Sequence, residues 1–324
     1  MFVQGKVKYF ACKFTIMIRP TVEKIQTLRG HSDCIYTLAH GRNDYEFFSA
    51  GGDGFVVLWD LRSPENGRLI AKVSASIYAI HFDKASNELI IGQNYEGIQI
   101  VNIEQMKVIG SVKITSAAIF DIQRMDNDIF VATGDGLVIV LDRETMAVRK
   151  HIKASEKSAR TMSISMNTQQ LAVGYSDQQI RLFDLKSFEP KALIGGHENS
   201  VFTLQYLPRS IDLISAGRDA TFKVWDGDNN YQPKHSVVAH MFAINHLDFS
   251  PDNKHFVTCS MDKSIKIWDA ENYKLLKVID KSRHAGHGTS VNRLLWTNYQ
   301  NQVISASDDR TLSVWQINFP SSNN

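Results

Sequence analysis

Cysteine is scarce, proline is scarce, and no apolar run is long enough to cross a bilayer in this sequence of 324 residues. The 3 cysteines, Cys12, Cys34 and Cys259, are too few and too scattered for a disulfide framework or a zinc cluster, so no metal and no cofactor are expected and a reducing cytoplasm is the simplest home. Charge of one sign is also missing: 36 Lys and Arg stand against 34 Asp and Glu, a formal net charge of +2. That balance gives no support to nucleic-acid binding or to an anionic membrane surface. The apolar stretch from Tyr9 to Ile18 is short and broken by Lys13, which rules out a spanning helix and makes a poor signal-peptide core. It reads as a strand or packing segment, or as part of a non-native residues 1–16 preceding a start at Met17.

Helical periodicity is the remaining absence. No stretch sustains a 3.6-residue apolar period between caps, so helix should be nearly missing. What is present is enough apolar material for a sizeable core, at 43% of residues, cut into short runs by explicit turns. Ser250 to Asn253, Asp126 to Asp128 and Gly51 to Gly54 are three of those turns.

The runs repeat. Ser49 to Asp60 reads SAGGDGFVVLWD, and the same grammar returns at Ser215 to Asp226, Thr258 to Asp269 and Ser305 to Gln316. In each copy a histidine stands 22 residues before the turn aspartate: His31 and Asp53, His197 and Asp219, His240 and Asp262, His287 and Asp309. Marking equivalent turns at Asp53, Tyr95, Asp135, Asp177, Asp219, Asp262 and Asp309 gives spacings of 42, 40, 42, 42, 43 and 47 residues, hence seven units. Each unit divides into four short strands, a to d. In the first these are Cys34 to Ala39, Glu46 to Gly51, Phe55 to Trp59 and Leu69 to Val73. Strand c carries adjacent apolar residues, which suits a strand covered on both faces.

With Gly30-His31, Gly196-His197, Ala239-His240 and Gly286-His287 before strand a, and Trp59-Asp60, Trp225-Asp226, Trp268-Asp269 and Trp315-Gln316 closing strand c, the chain resembles the WD-repeat β-propeller family. The resemblance implies an all-β, seven-bladed propeller of four-stranded antiparallel blades over residues 21–319, with an N-terminal extension at 1–20 and a disordered tail at 320–324. It also implies a hydrogen-bonded tetrad in each complete blade. Four sets are complete: His31, Ser49, Asp53 and Trp59; His197, Ser215, Asp219 and Trp225; His240, Thr258, Asp262 and Trp268; His287, Ser305, Asp309 and Trp315. A buried Asp is tolerable only where imidazole and turn amides hold it, because an unpaired buried polar group costs ~1–3 kcal/mol. Repetition in four blades, with the hydroxyl in mid-strand and no Gly-x-Ser-x-Gly elbow, marks these sets as structural locks and not hydrolytic triads, so no catalytic residue is assigned.

Blades 2, 3 and 4 depart from the pattern: Tyr95 replaces the turn Asp, Leu141 and Phe183 replace the Trp, and no Gly-His is present. Their folding is expected to rest on apolar packing alone, with Ile98, Ile100, Val138, Val140, Ile180 and Leu182 buried. The last unit stops after strand c, so Val22 to Leu28 is expected to supply its outer strand and close the ring.

The resemblance further implies that residues five beyond the His, and those just before the turn Asp, project around the channel mouth on the top face. The first set is Tyr36, Tyr78, Phe120, Arg160, Phe202, Asn245 and Asn292; the second adds Asn94, Arg218, Met261 and Asp308. Positions three beyond the His are all small, which leaves the larger side chains reachable. Aromatics and Arg are enriched at binding hot spots, so this ring is the candidate partner site, with Arg160 suited to a carboxylate or phosphate. The expectation is a non-catalytic scaffold that binds a protein or peptide, a monomeric propeller within a complex. The alternatives are a structural subunit using blade edges, or a substrate receptor of a cullin-type ubiquitin ligase, whose docking box Phe47 to Arg62 fits. The basic connection Asp280 to Gly288 reads as a solvated loop.

Overall fold

Short apolar runs separated by tight turns cannot bury themselves singly, and here they stack as seven four-stranded antiparallel sheets arranged in a ring. The computed structural model describes residues 19–320. The strand or packing segment at Tyr9 to Ile18, the choice of start at Met17, Cys12 and nearly all of the extension and tail lie outside those residues. In blade 1 strands a to d are Ile35–His40, Glu46–Gly51, Phe55–Asp60 and Arg68–Lys72, within a residue or so of the boundaries expected from the turns. Helix among the described residues is limited to one turn, Lys281–His284, and two 3-10 turns.

The strands a are innermost and neighbour one another around the ring, the first beside the last. The two middle strands of each blade supply most of the buried apolar side chains, and Ile98, Ile100, Val138, Val140, Ile180 and Leu182 are all buried. Ring closure falls on Thr21–Arg29, which pairs antiparallel with Thr311–Asn318 as the outer strand of blade 7, from Thr21 opposite Asn318 to Arg29 opposite Thr311. The sheet is thus completed by chain segments nearly 300 residues apart, and the outer edge of Thr311–Asn318 is covered.

Blades 2 to 4 do not rest on apolar packing alone, and that expectation is corrected. In blade 4, Ser155 Oγ donates to Asp177 Oδ2 at 2.6 Å and Arg181 donates to Asp177 Oδ1 at 3.0 Å, with the Arg181 guanidinium over the buried Tyr175 ring. Between blades 2 and 3, buried Glu88 accepts from Arg143 Nε at 2.7 Å and from Arg124 at 3.2 Å, and Arg124 also pairs with Asp83. In blade 4 the serine and the arginine take the place of the absent histidine on the turn aspartate, whereas the Glu88 ties join blades 2 and 3 at the opposite end of strands a and b.

Candidate functional site

The four tetrads are built as hydrogen-bonded lines. His31 Nδ1 lies 3.0 Å from Asp53 Oδ2 and its Nε2 2.8 Å from Ser49 Oγ, which accepts from Trp59 Nε1 at 2.8 Å. The same contacts join His197, Asp219, Ser215 and Trp225, then His240, Asp262, Thr258 and Trp268, then His287, Asp309, Ser305 and Trp315, all within 2.7–2.9 Å. Burial pushes the carboxyls of Asp219, Asp262 and Asp309 up, but the bonds from histidine and from turn groups more than offset it and hold them well below the usual carboxylate range. Ser49, Ser215, Thr258 and Ser305 are fully buried with their bonds made, so none can meet a substrate. No group of three or more potential metal ligands is present among the described residues.

The tetrads fix strands a, and strands a carry the ring. In six blades the antiparallel register of strand a slips by one residue, and the residue left out of the ladder is Tyr36, Phe120, Arg160, Phe202, Asn245 or Asn292. A bulge of this kind re-aims a side chain, and here six successive bulges aim theirs at one place. Tyr78, in blade 2, reaches it from just before the shorter strand Ile80–Asp83. Together they line a cavity of about 480 Å³ at the mouth of the channel, joined there by Tyr95, Asp121, Thr161 and Arg293.

Within the cavity Tyr36 meets Tyr78 edge to face at 4.9 Å, and Tyr78 stacks on Phe120 at 5.8 Å between centroids. The Arg160 guanidinium lies over Phe120 at 3.8 Å and Phe202 at 4.8 Å. The rings therefore pack on one another, yet Tyr36, Tyr78, Phe120, Arg160 and Phe202 all remain half-buried and face open space. Burial pulls the Arg160 pKa down to about 10, which leaves it cationic at neutral pH. The two asparagines are committed to the ring itself: Asn245 Nδ2 donates to Ser290 Oγ and Val291 O at 3.0 and 2.9 Å, and Asn292 Nδ2 to Ile35 O and Asp308 Oδ1 at 2.9 and 2.7 Å. Small residues three beyond the histidine position also tie blades together, since Ser158 Oγ donates to Gly134 O at 2.8 Å.

The turn positions divide. Arg218 is exposed, and Met261, 53% exposed, is joined by Met241 at 83% and Phe242 at 60%, whose loop is bonded to the same turn through Met261 N and Ala243 O. Asn94 is a correction: it is 1% exposed, and its Oδ1 accepts from Ile119 N at 2.8 Å, so it is a buried tie to blade 3 and does not project. The cause is backbone geometry. Six of the turns place a positive φ at the residue after the acid position: Gly54, Gly136, Gln178, Ala220, Lys263 and Arg310. Blade 2 moves it to Tyr95 itself, at φ 68°, which turns Asn94 inward and leaves Tyr95 60% exposed on the cavity rim. Tyr95 was visible in the sequence only as a missing aspartate.

Of the other features, Arg62 lies on the Tyr45 ring at 3.6 Å and donates twice to Asp60, so the end of the segment Phe47 to Arg62 is bound up within blade 1. The basic connection forms a capped turn in which Asp280 accepts from Arg283 N at 2.9 Å and from the Arg283 side chain.

A closed ring of seven four-stranded blades, four of them locked by His, Ser or Thr, Asp and Trp, defines a WD-type β-propeller with its open cavity on the loop face. The chain belongs to the WD-repeat family: residues 22–60, 188–226, 231–269 and 279–316 match the WD domain, G-beta repeat, and these are the segments that hold the four complete tetrads. It is similar to the WD repeat-containing protein 91 homolog of Dictyostelium discoideum, 25% identical over 214 residues, which cover 63% of this chain and 28% of that protein. It is also similar to WD repeat-containing protein SL1-17 of Schistosoma mansoni, 25% identical over 225 residues, covering 55% of this chain and 73% of the relative. The crystal structure of the WD40 beta propeller domain of Doa1 superposes with a TM-score of 0.79 at 17% identity, over 92% of this chain and 97% of that one, a likeness of fold. Among the described residues no helix is long and apolar enough to cross a membrane.

Proposed function

We propose that residues 21–319 act as a non-catalytic scaffold in the cytoplasm, a monomeric propeller within a complex, that recognises a segment of a partner protein or a peptide through the top face. The observation that carries this reading is the convergence of six register slips on one open cavity: a fold that needed only to close its channel has no need to keep Tyr36, Tyr78 and Phe120 partly exposed around a void. Stacked aromatics bring large contact area at low conformational cost, and Met241, Phe242 and Met261 add exposed apolar surface on the loops of blade 6. Affinity capture with wild type and with Y36A/Y78A/F120A, read by mass spectrometry, is the test. Loss of the main partner in the triple variant supports the reading.

The structural-subunit reading has its own observation. Leu69, Val108, Ile109 and Val148, on the outer strands of blades 1 to 3, are exposed apolar residues at the blade edges. Full retention of partners by the triple variant, with loss on charging Val108 and Ile109, selects that reading instead.

A further inference from the structure

Arg160 is a half-buried charge of the cavity that has no counter-ion. Among the described residues it makes no hydrogen bond or ion pair; its surroundings are the faces of Phe120 and Phe202, with Tyr78 beyond. A guanidinium has five donors fixed in one plane. Packing between two rings uses its faces and leaves the N–H edge unspent. The other guanidinium lining the cavity, Arg293, likewise makes no ion pair among the described residues, and the one acid in the lining, Asp121, accepts from Ile122 N at 2.8 Å and Met162 N at 2.6 Å. Two guanidiniums and one acid therefore line the cavity, an excess of positive charge that calls for an anion.

Resting on the top-face reading, we infer that the cavity recognises an acidic residue of an extended peptide, its carboxylate bidentate on the Arg160 edge and its apolar neighbour on the shelf of Tyr36, Tyr78 and Tyr95. The planar fork of Arg160 fits a carboxylate edge on, and the aromatic faces beside it make the desolvation of a phosphate dianion the costlier alternative. The geometry also excludes the opposite ligand. An aromatic cage open between two rings would attract a lysine or methyl-lysine, but here the protein's own arginine fills that place. The mouth is open enough for a chain to pass across it, and the small side chains of Ala118 and Ser158 at the neighbouring positions leave the Arg160 edge reachable.

The test is an mRNA-displayed library of random peptides selected in parallel on wild type, R160Q, R160K and Y36A/Y78A, each first shown to melt cooperatively. Expected is a wild-type consensus with Asp or Glu at one position beside an apolar residue. Replacing that acid by its amide in the winning peptide should weaken binding about ten-fold, the worth of one charge-assisted contact, and R160Q should erase the difference. R160K, which keeps the charge without the fork, should keep only part of it. A neutral or basic consensus that Y36A/Y78A destroys and R160Q leaves intact overturns the carboxylate assignment while the top-face reading stands. An empty selection on folded wild type, or a consensus indifferent to Y36A/Y78A, overturns both. A phosphoserine version of the peptide that binds about ten-fold tighter than the Glu version transfers the site to phosphate and also overturns the inference.

Discussion

Ser155 Oγ donates to Asp177 Oδ2 at 2.6 Å across a separation of 22 residues, the same separation that places a histidine on the turn aspartate in blades 1, 5, 6 and 7. Blade 4 has therefore kept the first contact of the lock and lost the rest, because Val173 and Phe183 stand where the other blades have the hydroxyl and the indole. S155A should cost about 1–2 kcal/mol in urea unfolding, one hydrogen bond to a charged, partly buried acceptor. S215A in blade 5 should cost more, about 2–3 kcal/mol, since it strands both His197 and the Trp225 indole N–H. S155H should bring no gain: its far nitrogen would face Val173. A gain from S155H would show that the slot accepts an imidazole without its hydroxyl.

Ser155 also shows what the sequence could and could not disclose. The tetrads were legible because each depends on residue types at fixed spacing along the chain, and a search for Gly-His finds them. The same spacing applied without insisting on histidine would have found Ser155. The register slips at Tyr36, Phe120, Arg160, Phe202, Asn245 and Asn292 leave no mark in side-chain types, since a bulge is a property of the ladder. The exchange of roles between Asn94 and Tyr95 was hidden for a similar reason: it follows from one backbone angle, and a tyrosine is an unusual bearer of positive φ. The ties of Glu88 to Arg124 and Arg143 were hidden because their partners lie 36 and 55 residues away with no repeat to align them.

Asp248 gives the propeller an unusual pH dependence. Its half-buried carboxyl accepts from Trp296 N at 2.7 Å and Phe249 N at 3.0 Å, and partial removal from water raises its pKa to about 6 despite those bonds and the influence of Arg293. The groups facing it are Arg293 and Gln205. The unfolded carboxyl titrates near ~3.9, so from about pH 4 to pH 6 the folded state holds a proton that the unfolded state has lost. Stability must then fall as pH rises through that window, by on the order of 2–3 kcal/mol. Burial raises the buried Asp121 in the same sense. Asp219, Asp262 and Asp309 act oppositely: their folded values are lowered, so their contribution is present above about pH 4 and is lost as pH falls through the folded values. Melting temperatures measured across this range should show D248N flatter than wild type between pH 4 and 6 and unchanged in its acid limb. Equal slopes would remove Asp248 from the account.

Glu88 is the shared acceptor of two guanidiniums at the junction of blades 2 and 3, with Asp83 as the second acid for Arg124. E88L should destabilise by about 3 kcal/mol, because Arg143 is left partly buried without a counter-charge. E88L/R143M should recover much of that loss, since Arg124 retains Asp83 and no stranded charge remains. Urea denaturation of both variants decides it. A double variant no more stable than E88L would mean that the cost lies in lost packing and not in the unpaired arginine.

Closure of the ring by Thr21–Arg29 makes the chain's stability depend on a segment that contributes little core of its own. Its burial alternates, with Leu28 alone fully buried and Ile25 exposed, so the strand's value lies in the backbone ladder along Thr311–Asn318 and in covering that edge. Lys24 adds a contact to Ala285 O at 2.8 Å, which ties the strand to the connection before blade 7. Deletion of residues 1–30 should therefore lower the melting temperature sharply and expose Thr311–Asn318 as an open strand edge, a template for pairing between molecules. Light scattering should report concentration-dependent association of the truncated chain. A synthetic peptide spanning Thr21 to Arg29 should restore the melting temperature and suppress that association, because it returns the missing ladder without a covalent link. Unchanged melting of the truncation would show that blade 7 holds with three strands and that the ring does not need its clasp.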